Sequence, residues 1–185
     1  MNPLIDQLNT RIERVSTNTK QHFASLSSEQ LNWKSHAKSW SIAECLQHLI
    51  ITNELYFKQF DRVLKGGGNH SIWERLPFWA NFIGNSLLKT LTPEAKRKVN
   101  APRIFRPSQS EISTDIVNQF LIHNQQLLEY LKKLKAHDLT INISSPVASF
   151  LPLPLEAALN IIVNHEERHF TQAKQVLEQQ KEGTT

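Results

Sequence analysis

Apolar residues recur along this chain at helical rather than alternating spacing, in four long segments separated by polar or proline-bearing connections. In the first segment Leu4, Leu8, Ile12, Val15 and Phe23 stand among polar residues, and the pattern predicts a helix ending around Leu26-Ser27-Ser28. The second opens at Ser41, where Ser41-x-x-Glu44 has the form of a capping box: the hydroxyl can accept from the free amide of Glu44, whose carboxylate can reach back. Its apolar face runs through Ile42, Cys45, Leu49, Tyr56, Phe60 and Val63, and Gly66-Gly67-Gly68 stops it. The third is expected from near Ser110 to about Ala136-His137, with Ile116, Phe120, Leu127, Leu131 and Leu134 on one face. The fourth starts at Pro154 or just after, a first-turn position that suits proline, and carries Leu155, Leu159, Ile162, His165, His169, Gln172 and Val176.

Two connections are too long for simple turns between antiparallel neighbours. Residues 66–107 are aromatic, with Trp73, Phe78, Trp79 and Phe82, and leave room for a short helix before Leu91-Thr92-Pro93. That length permits a crossover, so the second and third helices can run parallel. The aromatic residues would either wall a site and select an apolar substrate or pack on the bundle or at a dimer interface. Residues 138–153 hold Thr140-Ile141-Asn142-Ile143 and prolines 146 and 152, and predict extended coil; the polar tail from Glu178 to Thr185 predicts fraying.

Composition narrows the class. With 185 residues, 39% of them hydrophobic, one domain spanning residues 1–185 is expected. The formal charge of +4 is spread along helices that also carry Asp and Glu, which describes a solvated surface and gives no reason to expect a nucleic-acid partner. The single cysteine, Cys45, fits a reducing compartment. No apolar run approaches the ~20 residues of a membrane span, and Met1-Asn2-Pro3-Leu4-Ile5-Asp6 lacks signal-peptide character. A soluble cytoplasmic protein without a membrane partner is the expectation.

Chemistry concentrates in the histidines. His165-Glu166-Glu167-Arg168-His169 puts two imidazoles one turn apart on the stripe begun by Leu155, Leu159 and Ile162, the spacing at which they can chelate one ion. Hydrogen-bonded core histidines would show the same spacing. A third ligand is sought far upstream at His48, which lies one turn after Cys45 on the flank of the second helix's apolar face. Three histidines would leave a coordination position open for water or substrate. The spelling His-Glu-x-x-His also matches the zinc-protease motif. Against it, such enzymes take their third ligand downstream, whereas Glu178 and Glu182 lie in or just after the same helix, and Gln172 stands where the metzincin glycine would be. Glu166 reads ordinarily as a solvated helix carboxylate and chemically as a general base. His123, in register with Phe120 and Leu127, reads as a core histidine bonded to a backbone carbonyl, with a fourth ligand, a group supporting the ligands or a substrate contact as the chemical readings. His22, His36, His70 and His137 are expected at the surface. Cys45 is either a small packing group or a thiolate near the metal.

Trp40-Ser41-Ile42-Ala43-Glu44 leading to Gln47-His48-Leu49, with His165-Glu166-x-Arg168-His169-x-x-Gln172-Ala173 near the C-terminus, resembles the DinB/YfiT-like superfamily. The likeness runs from roughly Leu8 to Leu177 and is least typical over residues 66–107. It implies an all-α four-helix bundle of up-down-down-up topology and a divalent metal, commonly zinc or nickel, held by three histidines that correspond to His48, His165 and His169. Members with a known activity include transferases and isomerases that use low-molecular-weight thiols; others are described only as hydrolases, and many form homodimers. The resemblance thus implies a metal-dependent enzyme acting on a small molecule by thiol S-transferase-like chemistry. The alternatives are a hydrolase that uses a metal-bound water and a non-catalytic, stress-related metal-binding bundle.

Overall fold

The computed structural model describes residues 2–66, 106–107, 111–146 and 152–183. Helix α1 (Pro3–Phe23) is started by Asn2, whose side chain accepts from the Leu4 amide, with Pro3 in the first turn where no amide hydrogen is needed. A short α2 (Ser28–Asn32) follows, set by a capping box between Ser27 and Gln30. Helix α3 (Ile42–Leu64) opens with the expected Ser41–Glu44 capping box. It closes at Gly66, whose positive φ of 75° suits glycine and whose amide donates to the Val63 carbonyl. Helices α4 (Ile116–Leu134) and α5 (Leu155–Glu182) complete the bundle.

Three expectations are corrected. The third helical segment begins at Ile116 rather than near Ser110, because the backbone N–H and C=O of Ile112 are both bonded to the Asn32 carboxamide. Ile112 therefore continues the apolar spacing without joining the helix. The coil expected at 138–153 contains two short strands, β1 (Asn142–Ser144) and β2 (Pro152–Pro154), paired antiparallel with Ile143 opposite Leu153. Their hairpin brings the Leu139 and Ile141 carbonyls to the Glu156 and Leu155 amides, so α5 starts without a side-chain cap. The tail does not fray from Glu178: α5 continues through Glu182, its last turns held by buried Val176 and Leu177. Trp73, Phe78, Trp79, Phe82, the short helix expected near them, and Gly67 and Gly68 lie outside the described residues.

Residue pairs give the helix directions. Phe57 packs on His123 and Tyr130 bonds Asp61, so α3 and α4 run parallel. Lys135 reaches Asp6 and Asn124 reaches Ser16, which makes α1 and α4 antiparallel. Arg11 meets Glu167 and Phe23 packs on Phe170, so α1 and α5 are parallel. The bundle is all-α and up-down-down-up, and the parallel α3–α4 pair is the one the long connection permits. Its interior holds two apolar clusters. One includes Ile5, Ile12, Phe60, Leu131 and Leu159; the other includes Val15, Phe23, Leu46, Phe120 and Leu177. No helix among the described residues is long and apolar enough to cross a membrane.

Candidate metal centre

Both helices that carry the triad turn their histidine stripe inward for the same reason: apolar neighbours one turn away fix the buried face. His48 follows Cys45 on α3, while His165 and His169 continue from Ile161 and Ile162 on α5. All three rings are buried, with relative exposures of 4%, 7% and 9%. His48 Nε2 lies 3.1 Å from His165 Nε2, and one ligand atom from each of the three residues falls within 4.8 Å of the others. Two imidazole nitrogens this close either share a proton, one donating and one accepting, or both present lone pairs to a cation. Donors at 2.0–2.1 Å from a tetrahedral ion stand about 3.3 Å apart, so the His48–His165 contact is already near a chelating separation.

Electrostatics favour lone pairs over protons. Burial, then the neighbouring charges of His169, His48 and Arg168, hold His165 well below the ordinary histidine range. Burial, with His48 and Arg168, pushes His169 down to about 3. Gln172 offsets part of that depression, yet His169 Nδ1 has no partner of hydrogen-bond geometry among the described residues. Buried neutral imidazoles with an orphaned nitrogen fit the requirement of a borderline divalent ion for nitrogen donors.

The surroundings define what else takes part. Trp40 stacks on His169, with centroids 5.5 Å apart, and meets His48 edge-on at 4.7 Å. Thr52 donates back to the His48 carbonyl at 2.8 Å. Cys45 is fully buried in the apolar cluster around Leu46; burial pushes its thiol up and it lies outside the histidine group, so it is a packing residue. His123 is buried and stacks on Phe57, but its Nε2 has no partner among the described residues, unlike the expected carbonyl-bonded histidine. Burial pushes His123 down to about 4, and it too stands outside the histidine group. His36 is exposed and His22 and His137 are half-buried, while His70 lies outside the described residues.

Glu166 is the largest departure from the sequence reading. Instead of a solvated carboxylate it is completely buried, accepting from Asn53 Nδ2 at 2.7 Å and Asn124 Nδ2 at 3.1 Å. Burial pushes it up to about 8, against the lowering effect of those two donors. The neighbouring Glu167 takes the outward-facing role. It pairs with Arg11 at 2.6 Å and Arg14 at 2.9 Å, and these charges outweigh its partial burial to leave it below the usual carboxylate range. Sequence reasoning missed Trp40 as a wall of the site and Asn53 and Asn124 as partners of Glu166. A tryptophan directly before the Ser41 cap was a usable signal for the first, and no local pattern marks the other two.

Comparison with known proteins gives the family. The chain is 28% identical over 154 residues to the uncharacterized protein YuaE of Bacillus subtilis (strain 168), covering 83% of this chain and 86% of that one. No solved structure matches it. The family model of the DinB superfamily matches residues 11–173, a stretch that takes in both the helix bearing His48 and the turn bearing His165 and His169. By that match the chain belongs to the DinB superfamily.

Proposed function

We propose that the chain is a metal-dependent enzyme acting on small molecules by thiol S-transferase-like chemistry, with His48, His165 and His169 as its metal ligands. The observation that carries this reading is the convergence of three buried imidazoles, contributed by two helices, with no carboxylate or thiol in the same group among the described residues. Such a set leaves coordination positions for a substrate, the pattern of catalytic rather than structural sites. A zinc or nickel ion held there would supply Lewis acidity, lowering the pKa of a substrate thiol that at ~8.5 is otherwise mostly protonated at neutral pH.

The chain's own residues prepare the site. Burial keeps the His165 and His169 rings neutral at pH 7, so their lone pairs are available without displacing a proton. Trp40 covers His169 and the edge of His48, restricting solvent on that side. Glu166, the base that a hydrolase of the His-Glu-x-x-His kind would use, has both carboxylate oxygens engaged by Asn53 and Asn124. This favours transfer to an electrophilic small molecule over water activation by Glu166.

Elemental analysis of freshly purified protein, followed by a screen of the metal-loaded protein against thiol–electrophile pairs and against esters and amides, tests the reading. Metal-dependent turnover of thiol pairs that is lost in His165→Ala together with the metal is expected. Full activity in a metal-free His165→Ala variant would overturn it. Turnover of esters or amides alone would make the chain a hydrolase; no turnover with a large loss of stability on chelation would make it a non-catalytic metal-binding bundle.

A further inference from the structure

The two apolar clusters of the bundle are separated by a polar stratum to which every long helix contributes. On α3, Thr52 and Asn53 fall between Leu49 and Tyr56; on α4, His123 and Asn124 fall between Phe120 and Leu127. On α5, His165, Glu166 and His169 fall between Val163 and Ala173, and α1 joins the layer through Ser16, which Asn124 reaches. The triad is thus one side of a layer that crosses the whole bundle.

Glu166 is the node of that layer. It accepts from Asn53 on α3 and from Asn124 on α4, and Asn124 also donates to Ser16 on α1 at 3.0 Å. A single carboxylate thereby ties α5 to both neighbouring helices and, through Asn124, to α1. It is adjacent in the chain to His165, and Asn53 lies five residues beyond His48 on the same helix. At 1.5 Å per residue the Asn53–Glu166 bond and the His48–His165 contact are roughly 7–8 Å apart along α3.

Helices joined only by apolar packing can slide or rotate by a ridge with little loss, whereas a buried polar contact permits one register. Two such contacts spaced along one interface fix both slide and rotation. We propose that Glu166, with Asn53 and Asn124, is the positioning residue of the metal centre, registering α5 against α3 and α4 so that His48 meets His165. Its consequence for metal binding rests on the reading under Proposed function; its consequence for ring placement does not.

The test uses the full chain and the variants Glu166→Ala, Glu166→Gln, Asn53→Ala and, as a control in the apolar cluster around Phe60, Leu131→Ala. Cobalt(II) affinity and its visible absorption band are measured, and histidine ring resonances are recorded by NMR on the metal-free protein. Glu166→Ala should weaken Co(II) binding about 10–100-fold and Asn53→Ala about tenfold, the range for loss of a group that orients ligands. Both should shift the Co(II) band and move the His48 and His165 resonances. Glu166→Gln should recover most of the affinity, because Asn53 Oδ1 and Asn124 Oδ1 have no partner among the described residues and either carboxamide can turn over to accept from the new amide. Leu131→Ala should melt at lower temperature yet bind Co(II) as the wild type does.

Wild-type affinity, absorption band and ring resonances in Glu166→Ala and Asn53→Ala would overturn the proposal. Equal loss in Leu131→Ala would also overturn it, since the effect would then be general destabilisation. A wild-type chain that binds no Co(II) would defeat the metal reading, and the metal-free resonances would still decide the register. Should Glu166→Ala fail to fold, Asn53→Ala and Glu166→Gln carry the decision on the same readouts.

Discussion

The Trp40 indole lies nearly parallel to the His169 ring, 19° between planes and 5.5 Å between centroids, while its neighbour His48 meets the same indole edge-on. One aromatic side chain from the segment before α3 therefore braces histidines on both helices of the site. Aromatic pairs are worth about 0.5–1.5 kcal/mol each beyond area burial, so Trp40→Ala should destabilise the metal-free protein by about 1–3 kcal/mol in urea unfolding. Trp40→Phe should retain roughly half of that difference. An unchanged midpoint in Trp40→Ala would show that the stack contributes nothing.

The pH dependence of the metal-free protein follows from opposed shifts in one layer. His169 titrates at about 3 and His123 at about 4 in the folded state, and His165 is also depressed, against 6.5 for the free side chain. From pH 6.5 downwards the unfolded chain binds protons that the folded chain refuses, so this stabilisation is present above 6.5 and is lost as pH falls. Glu166 runs the other way: raised from 4.5 to about 8, it keeps its proton in the folded state, and its contribution is lost as pH rises between those values. Below about pH 7 the three imidazoles outweigh the one carboxyl, and above it Glu166 outweighs what remains of them. Among these groups the balance places maximal stability near pH 7, with a decline of about 0.5 kcal/mol by pH 8. Urea unfolding in chelator at several pH values measures this. Glu166→Gln should flatten the alkaline limb, and a steady rise through pH 8 in the wild type would mean that Glu166 is ionised when folded.

Much of this layer was legible in the sequence, and the limits have physical causes. Ser41-x-x-Glu44 announced the start of α3 because a capping box is local chemistry, and His165 and His169 announced their inward direction because they continue an apolar stripe. His48 could be singled out on the same grounds. The five-residue α2 is too short to show a period, although Ser27-x-x-Gln30 carries the same capping signal as Ser41. The start of the third helix was expected too early, near Ser110, because nothing local reveals that the Ile112 backbone is claimed by Asn32, 80 residues away. The burial of Glu166 was hidden for a related reason: its partners lie 113 and 42 residues distant, and nothing near it in the chain distinguishes it from the outward-facing Glu167.

Arg11 and Arg14 both reach Glu167, yet they differ in exposure, 21% against 65% of the side chain. Arg11 also donates to Asn164 and contacts both carboxylate oxygens, so it is held in a fork between α1 and α5. Arg11→Ala should cost about 1–2 kcal/mol, and Arg14→Ala less than about 0.5 kcal/mol because solvent and salt screen it. Repeating the unfolding at high salt should shrink the second effect to nothing while preserving most of the first. Equal costs for the two variants would mean that the bidentate geometry does not matter.

Metal binding to the folded chain alone must raise its apparent stability, by about 2.7 kcal/mol at a free metal concentration of 100 times Kd. For a chain of this size that corresponds to roughly 5–10 °C in Tm. The shift should vanish in His48→Ala, since His165 and His169 alone are a weak chelate, and in excess chelator. It should persist in Cys45→Ala and His123→Ala, whose side chains are buried but lie outside the histidine group. Thermal scans with and without zinc and nickel measure the wild type and all three variants on one scale. A shift that survives in His48→Ala but disappears in His123→Ala would place the ion on a different set of ligands.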